Sequence, residues 1–444
     1  MKIGLLSVGF PNFRYDYGQI YLDSTLNKFM SLEHEIITTK KILIYESEIF
    51  EEINRLSKEN IDLLILQCGT YSYGSAMMKV LEKLREIPLL LWGFTEPRIE
   101  GFNGLPLNSL CALNMYGSFL EKVGKKYSYV YGKVDDETVY EKVHRTIKAI
   151  SIKKKLSKSK FCIIGGRVPG FYLSNVDEVR FRCEIGPEIV YYSIAEMLRD
   201  MDRVSNDEID EEVLKMKSEV NSITATDEML RISARMYITI KKFKELNNID
   251  GFTIKCWPEL QEIKNMSACG VISRLNNDGI MASCEGDVTG LVTQYIQYLI
   301  TNKPCFFADL VNLNDNNTLK TWHCGPAPVC LARDFSSTKY TEHPTMRGVG
   351  FSVEFYMKLS RVNMLKVKES NKEYKMFIAL GESVKEDRQL LANQADIKFD
   401  SDSYKVLDTI MEHGIEHHYA IVFEDIKEDL IEVCKWMNIK PIVI

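Results

Sequence analysis

The sequence has 444 residues, 45% hydrophobic and 27% charged, ordinary globular values for about three domains at roughly 150 residues each. That composition excludes a disordered, collagen-like or coiled-coil chain. Lys+Arg is 56 against 62 Asp+Glu, a net charge of -6, which argues against nucleic acid or an anionic membrane as the main partner, since both select basic surface.

No apolar run reaches the roughly 18 residues of a membrane helix. The start, 1–11, carries one lysine, a short apolar core and no small-residue cleavage pattern. It reads as a buried strand and turn and not as a signal peptide. The eleven cysteines are odd in number and contain no Cys-x-x-Cys pair. They read as reduced thiols of a cytoplasmic protein, not a disulfide or zinc framework.

In chain order, Ile3–Val8, Ile61–Gln67 and Pro88–Phe94 are predicted strands. The nearly continuous apolar runs of the last two suit strands buried on both faces of a parallel sheet. Between them Met77, Val80, Leu81 and Leu84 mark a helix over 75–86, so the three elements form a βαβ unit. The lysine-rich stretch 150–160 reads as a solvated helix end or linker. A strand at Phe161–Ile164 follows, then Gly165-Gly166-Arg167-Val168-Pro169-Gly170. The glycine spacing fits neither Gly-x-Gly-x-x-Gly nor a nucleotide loop, so it reads as a tight turn, with no nicotinamide or nucleotide cofactor. Residues 199–226 are polar and acidic, a helical excursion. A second α/β unit runs from Gly251–Ile254 to about Thr301. The last third is more β-rich and partly antiparallel, with strands at Phe351–Met357 and Tyr374–Leu380. It closes with a strand at Tyr419–Phe423, a helix at 426–437 and a strand at Lys440–Ile444. The predicted fold is thus α/β: two doubly wound, Rossmann-like domains (1–157 and 158–300) and a β-rich α+β domain (301–444).

The most informative stretch is Cys284-Glu285-Gly286-Asp287. It follows a predicted strand, 279–284, and precedes a helix face made by Leu291, Val292, Tyr295, Ile296 and Leu299. Glu285 therefore sits at the carboxyl end of a strand, where open α/β sheets bind ligands, and Asp287 is placed to cap the helix. Cys305–Asp309 is a second apolar run ending in a carboxylate. If the two strands are neighbours, Glu285 and Asp309 face one cleft. Three of the seven histidines fall in Trp322-His323-Cys324-Gly325 and Glu416-His417-His418-Tyr419. His417 and His418 are consecutive, so in an extended strand they point to opposite faces and at most one is a ligand. Two carboxylates with imidazole suit Mn²⁺, Co²⁺, Fe²⁺ or Zn²⁺, with Mg²⁺ less natural.

Together these pieces resemble the L-fucose isomerase and L-arabinose isomerase superfamily. Fucose isomerases carry Glu-Asn-Asp and then Phe-Ala-Asp at successive strand ends; here these are Glu285-Gly286-Asp287 and Phe307-Ala308-Asp309. Arabinose isomerases have Glu-Gly-Asp, as this chain does, a histidine segment matched by His323, and His-His-Thr, matched by His417-His418-Tyr419. Trp92-Gly93-Phe94 resembles a Trp-Gly-Phe strand end of fucose isomerases. The chain departs from both branches. It is shorter than fucose isomerases, has Tyr419 where arabinose isomerases have Thr, and has His417 where fucose isomerases have Asn.

The resemblance implies a metal-dependent aldose–ketose isomerase acting on a pentose, deoxyhexose or related sugar through a cis-enediol intermediate. Glu285 and Asp309 become metal ligands and acid/base groups, His418 and His323 further ligands, and Mn²⁺ the expected metal. It also implies a homo-oligomer, a hexamer or trimer, in which Trp92 and Arg98 help complete a neighbour's sugar site. Lys255, Trp257 and Glu259, at another strand end, and His417 are candidate contacts to the sugar hydroxyls. The competing readings are a non-catalytic sugar-binding or sensor protein and an epimerase or lyase using the same metal site.

Overall fold

The structure, a computed structural model, describes residues 1–346, 348–385 and 390–444. The chain divides into two compact units, residues 1–151 and 152–444. In the first, strands β1 (Lys2–Val8), β2 (Glu35–Ile37), β3 (Leu63–Cys68), β4 (Leu89–Phe94) and β5 (Ser128–Gly132) form a parallel sheet in the order β2-β1-β3-β4-β5. Every residue of β3 and β4 is buried, as their unbroken apolar runs require when both faces are covered. The helix between them spans Gly74–Lys83 and buries Ala76, Met77, Val80 and Leu81.

Trp92 corrects one expectation. It is 0% exposed, its ring packed against Phe29, Phe94 and the edge of Tyr140. Its position inside β4 makes it a core residue, out of reach of any sugar. Arg98 is exposed on the segment after β4.

The second unit contains β6 (Lys160–Ile164), β7 (Glu188–Tyr192), β8 (Ser222–Ile223), β9 (Gly251–Ile254), β10 (Met281–Cys284), β11 (Phe306–Asn314), β12 (Thr318–His323), β13 (Lys339–Glu342), β14 (Phe351–Glu354), β15 (Arg361–Ser370), β16 (Glu373–Val384), β17 (Asn393–Phe399), β18 (His418–Val422) and β19 (Lys440–Val443). A parallel sheet runs β10-β9-β6-β7. The charged stretch read as a helix end or linker is the end of a helix, Glu137–Leu156, and the approach to β6. The polar excursion is two helices, Ile194–Met201 and Asn206–Ser218. Each opens with a reciprocal Ser–Glu capping box, Ser193 with Glu196 and Ser205 with Glu208, which satisfies the free N–H groups of a helix start.

The remaining large sheet runs β15-β18-β11-β12-β17-β16-β19, and β15 also pairs with β16. That pairing joins the ends of the first six strands into a closed antiparallel ring, which leaves no unpaired edge among them. β19 adds in parallel beside β16. The Rossmann-like parallel sheets and the β-rich C-terminal sheet agree with the predicted fold class. β10 and β11 belong to different sheets, so Glu285 and Asp309 do not sit on neighbouring strands. Asp309 also lies inside β11, not at its end. All eleven cysteines are free thiols. Among the described residues, no helix is long and apolar enough to cross a membrane.

Candidate active site

β10, β9 and β6 lie side by side and parallel, so their carboxyl ends share one edge of the sheet. That edge carries Glu285 after β10, Lys255 after β9 and Gly165-Gly166 after β6. Glu285 has φ 61 and Gly286 φ 73, a sharp turn that lifts the Glu285 carboxylate out of the sheet line. A left-handed glutamate is uncommon and typical of residues whose placement matters more than their backbone comfort. Gly286 has no space for a side chain: a Cβ there would lie 2.6 Å from the Gly166 carbonyl oxygen and 3.2 Å from Arg167 Cα. Gly286→Ala is therefore expected to destabilise the fold by about 2 kcal/mol, the sum of a strained φ and a backbone clash. Chemical denaturation reads this directly, and an unchanged midpoint would contradict the close packing.

Asp287 caps the helix Val288–Thr301 as expected, accepting from the Gly290 N–H at 2.7 Å and from the Thr289 hydroxyl at 2.9 Å. Its other oxygen does more. It accepts from Lys366 Nζ at 2.7 Å and faces His418 Nδ1 at 3.0 Å. Burial pushes this carboxyl's pKa up, but Lys366 and His418 outweigh it and hold the group below the ordinary carboxylate range. Ionised Asp287 is an acceptor only, so His418 keeps its proton on Nδ1 and turns the lone pair of Nε2 the other way.

His418 Nε2 lies 3.4 Å from Glu285 Oε2 and 3.6 Å from Asp309 Oδ1. Two independent features produce this convergence. The turn after β10 brings Glu285 across from one sheet. In the other, β11 and β18 pair antiparallel with Asp309 directly opposite His418, so their side chains share a face. Asp309 Oδ1 is buried and accepts no hydrogen bond. Burial raises the Glu285 pKa, but His417, His418 and His323 overcome that and hold it below the usual range.

His417 overturns the opposite-faces expectation. Its Nε2 also lies 3.4 Å from Glu285 Oε2, and its ring centroid is 4.1 Å from that of His418. The alternation rule applies within a strand, and β18 begins only at His418. His417 stays 51% exposed while His418 is 2% exposed.

His323 is buried at the end of β12, and its two nitrogens meet thiols. Nε2 lies 3.3 Å from Cys284 Sγ and Nδ1 3.6 Å from Cys324 Sγ. The structure thus places it beside the carboxylate–histidine cluster, where its nitrogen, Cys284 Sγ and His418 lie within 4.8 Å of one another. Lys255 pairs with Glu259 at the end of β9. Trp257 meets the edge of Phe171 at 5.9 Å, and Phe171 meets His417 at 5.7 Å.

A cavity of about 370 Å³ opens here, lined by Phe171, Tyr172, Ser174, Asp287, Lys366 and Glu416 among others. Lys366 and Glu416 are contributors the sequence reading did not single out. Lys366 Nζ lies 3.5 Å from Glu416 Oε2 as well as bonding Asp287. Its signal was a lysine inside the otherwise apolar run Met364–Val367, since a buried lysine demands a carboxylate partner.

The donor set suits a divalent ion. Glu285, His417 and His418 offer ligand atoms within 4.8 Å of one another, and Asp309 Oδ1 supplies a buried oxygen without a donor. The 3.4 and 3.6 Å separations approach the edges of about 3.0–3.4 Å expected between donors that sit about 2.1 Å from one ion. Two carboxylates and imidazole match a hard-to-borderline metal, and Asp287 on Nδ1 is the outer partner that a ligating histidine needs.

Comparison with known proteins agrees with this architecture. Residues 170–301 match the family model of the L-arabinose isomerase central domain, and residues 323–444 that of the L-fucose isomerase C-terminal domain. Together they cover more than half of the chain.

The chain belongs to the L-fucose and L-arabinose isomerase superfamily.

Sulfoquinovose isomerases align along nearly its whole length. Sulfoquinovose isomerase of Priestia aryabhattai is 24% identical over 98% of this chain and 97% of its own. Sulfoquinovose isomerase of Clostridium sp. (strain MSTE9) is 23% identical over 99% and 98%. L-Arabinose isomerase of Lactiplantibacillus plantarum is 22% identical over 44% and 42%. As a superfamily member, the protein is an intramolecular oxidoreductase of the aldose–ketose isomerase class.

Proposed function

We propose that the protein is a divalent-metal-dependent aldose–ketose isomerase whose metal, Mn²⁺ in the first instance, is held by Glu285, Asp309 and His418. The observation that carries this reading is the convergence of Glu285 Oε2, Asp309 Oδ1 and His418 Nε2 from two different sheets. The bound ion supplies Lewis-acid polarisation of the sugar carbonyl and of the developing enediolate charge.

The protein's own groups do the rest. One of Glu285 and Asp309 takes the carbon-bound proton from C1 or C2 and returns it to the neighbouring carbon through a cis-enediol. The other relays the proton between O1 and O2. Each such group contributes about 10²–10⁴-fold. Both are ready acceptors, Glu285 because its histidine neighbours keep it ionised, and Asp309 because its inner oxygen accepts no hydrogen bond. Half-exposed His417 is placed to donate to a sugar hydroxyl. Phe171, packed against Trp257, gives the cavity an apolar side for C–H faces, and Lys255 with Glu259 offers polar partners further along.

For the substrate we propose a six-carbon sugar, with sulfoquinovose the first to try. The support is the near full-length alignment of the sulfoquinovose isomerases, against less than half for the arabinose isomerase. The test is product analysis in deuterated water with Mn²⁺ present. The expected product is the intact ketose with label at C1 or C2. A broken carbon chain, an epimer at another carbon, or binding without turnover would move the protein to a lyase, an epimerase or a sugar-binding function.

A further inference from the structure

Resting on that isomerase reading, we propose that Arg167 is a specificity-determining residue that receives a negatively charged group at the end of the sugar remote from the carbonyl. The metal end of the site is acidic: Glu285, Asp309, Asp287 and Glu416 gather there, and the one lysine among them, Lys366, is committed to Asp287 and Glu416. Among the described residues, that end offers a sugar substituent no uncommitted lysine or arginine. Arg167 sits across the turn. Its Cα stands against Gly286, 3.2 Å from where a Cβ would be, so its backbone is anchored to the segment that carries Glu285.

The side chain is half-buried and held in place. Its guanidinium carbon lies 4.8 Å from the ring centre of Tyr172, a cavity-lining residue, and one nitrogen donates to the Val168 carbonyl at 3.3 Å. Among the described residues no carboxylate lies within ion-pair distance of it. Three other arginines of this unit are committed to acids: Arg180 pairs with Glu184 and Glu369, Arg274 with Glu212 and Glu219, and Arg361 with Glu382 and Asp400. A planar, permanently charged fork with an unused side, stacked on a ring of the cavity wall, is the arrangement that takes an oxyanion such as sulfonate or phosphate in two parallel hydrogen bonds. The three glycines of Gly165–Gly170 all have positive φ, so the loop turns tightly between β6 and the cavity-lining Gly170 and Phe171. The loop read as a simple turn is then the part of the site that selects the substrate.

The test compares kcat/KM for sulfoquinovose and for 6-deoxyglucose, its neutral counterpart, in the Mn²⁺-loaded protein and in Arg167→Gln and Arg167→Lys. The expected result is a preference for the anionic sugar that falls about 10–100-fold in Arg167→Gln, the loss of one charge-assisted contact, with part of it kept in Arg167→Lys. An unchanged ratio in Arg167→Gln overturns the assignment. A wild-type protein that converts only the neutral sugar overturns it too, while leaving the isomerase reading intact. Glucose 6-phosphate, if preferred to both, supports Arg167 with phosphate as the anion. Calorimetric binding of sulfoquinovose to the EDTA-treated protein makes the test independent of turnover. Affinity should drop about tenfold or more in Arg167→Gln, and equal affinity in wild type and variant would refute the role even if no sugar were isomerised.

Discussion

Glu285→Gln lowers kcat at least about 10³-fold and weakens Mn²⁺ binding, while the protein unfolds within a few degrees of the wild type. The substitution keeps size and shape but removes the charge. It takes away an acid/base group, worth about 10²–10⁴-fold by itself, and one of the two carboxylates that hold the ion. It also turns an amide N–H₂ toward His417 and His418, whose nitrogens now face only an oxygen acceptor at 3.4 Å. Stability is expected to hold because, among the described residues, no buried lysine or arginine pairs with this carboxylate. Its contacts are the two histidines, one of them half in solvent. Steady-state kinetics, metal content and a melting curve on one preparation check all three statements. Normal turnover by the variant would remove Glu285 from the mechanism.

Asp287→Ala is the second large effect, and it falls on stability and metal affinity together. Lys366 is 1% exposed, and its shortest contact is Asp287. Removing one partner of a buried pair leaves an uncompensated charge, at about 3–5 kcal/mol. The helix Val288–Thr301 also loses its cap, about 1 kcal/mol more. His418 loses the acceptor that fixes its ring, a type of change that costs about 10–100-fold in metal affinity. Asp287→Asn separates these contributions, since asparagine still caps but cannot balance Lys366. Adding Lys366→Met to Asp287→Asn removes both charges. Urea unfolding should then recover most of the lost stability, while Mn²⁺ titration should show the affinity still reduced. Full recovery of affinity in the double variant would mean that Asp287 does not orient His418.

Much of the architecture was legible because it is written locally. The apolar runs of β3 and β4, the Asp287 cap and the two Ser–Glu capping boxes are each set by a few adjacent residues. The site was legible as a set of residues but not as a geometry. Glu285 and Asp309 were expected on neighbouring strands. Each instead reaches His418, Glu285 from the turn after β10 and Asp309 because β18 pairs with β11 across more than a hundred residues of sequence, and no periodicity reports a pairing of that span. The ring was hidden for the same reason: β15 and β16 form a local hairpin, but β12 reaches β17 and β15 reaches β18 across long stretches of sequence. His417, read as a sugar contact, was not expected beside His418 on Glu285, because alternation holds only within a strand and β18 begins at His418. Lys366 was passed over since a lysine in a strand ordinarily marks the solvent face, and only its burial between two acids shows otherwise. Trp92 was misassigned from a three-residue likeness at a strand end, where helix packing, invisible in the motif, decides which rings reach solvent.

The central claim is that the two-carboxylate, one-imidazole cluster of Glu285, Asp309 and His418 works through a bound divalent ion. It is tested most directly by stripping the protein with EDTA, removing the chelator, and titrating Mn²⁺ back while sulfoquinovose and simple aldoses are followed to ketose by NMR. The account predicts no conversion by the stripped protein and full recovery at one ion per chain. Undiminished conversion by protein shown to contain no metal would contradict it.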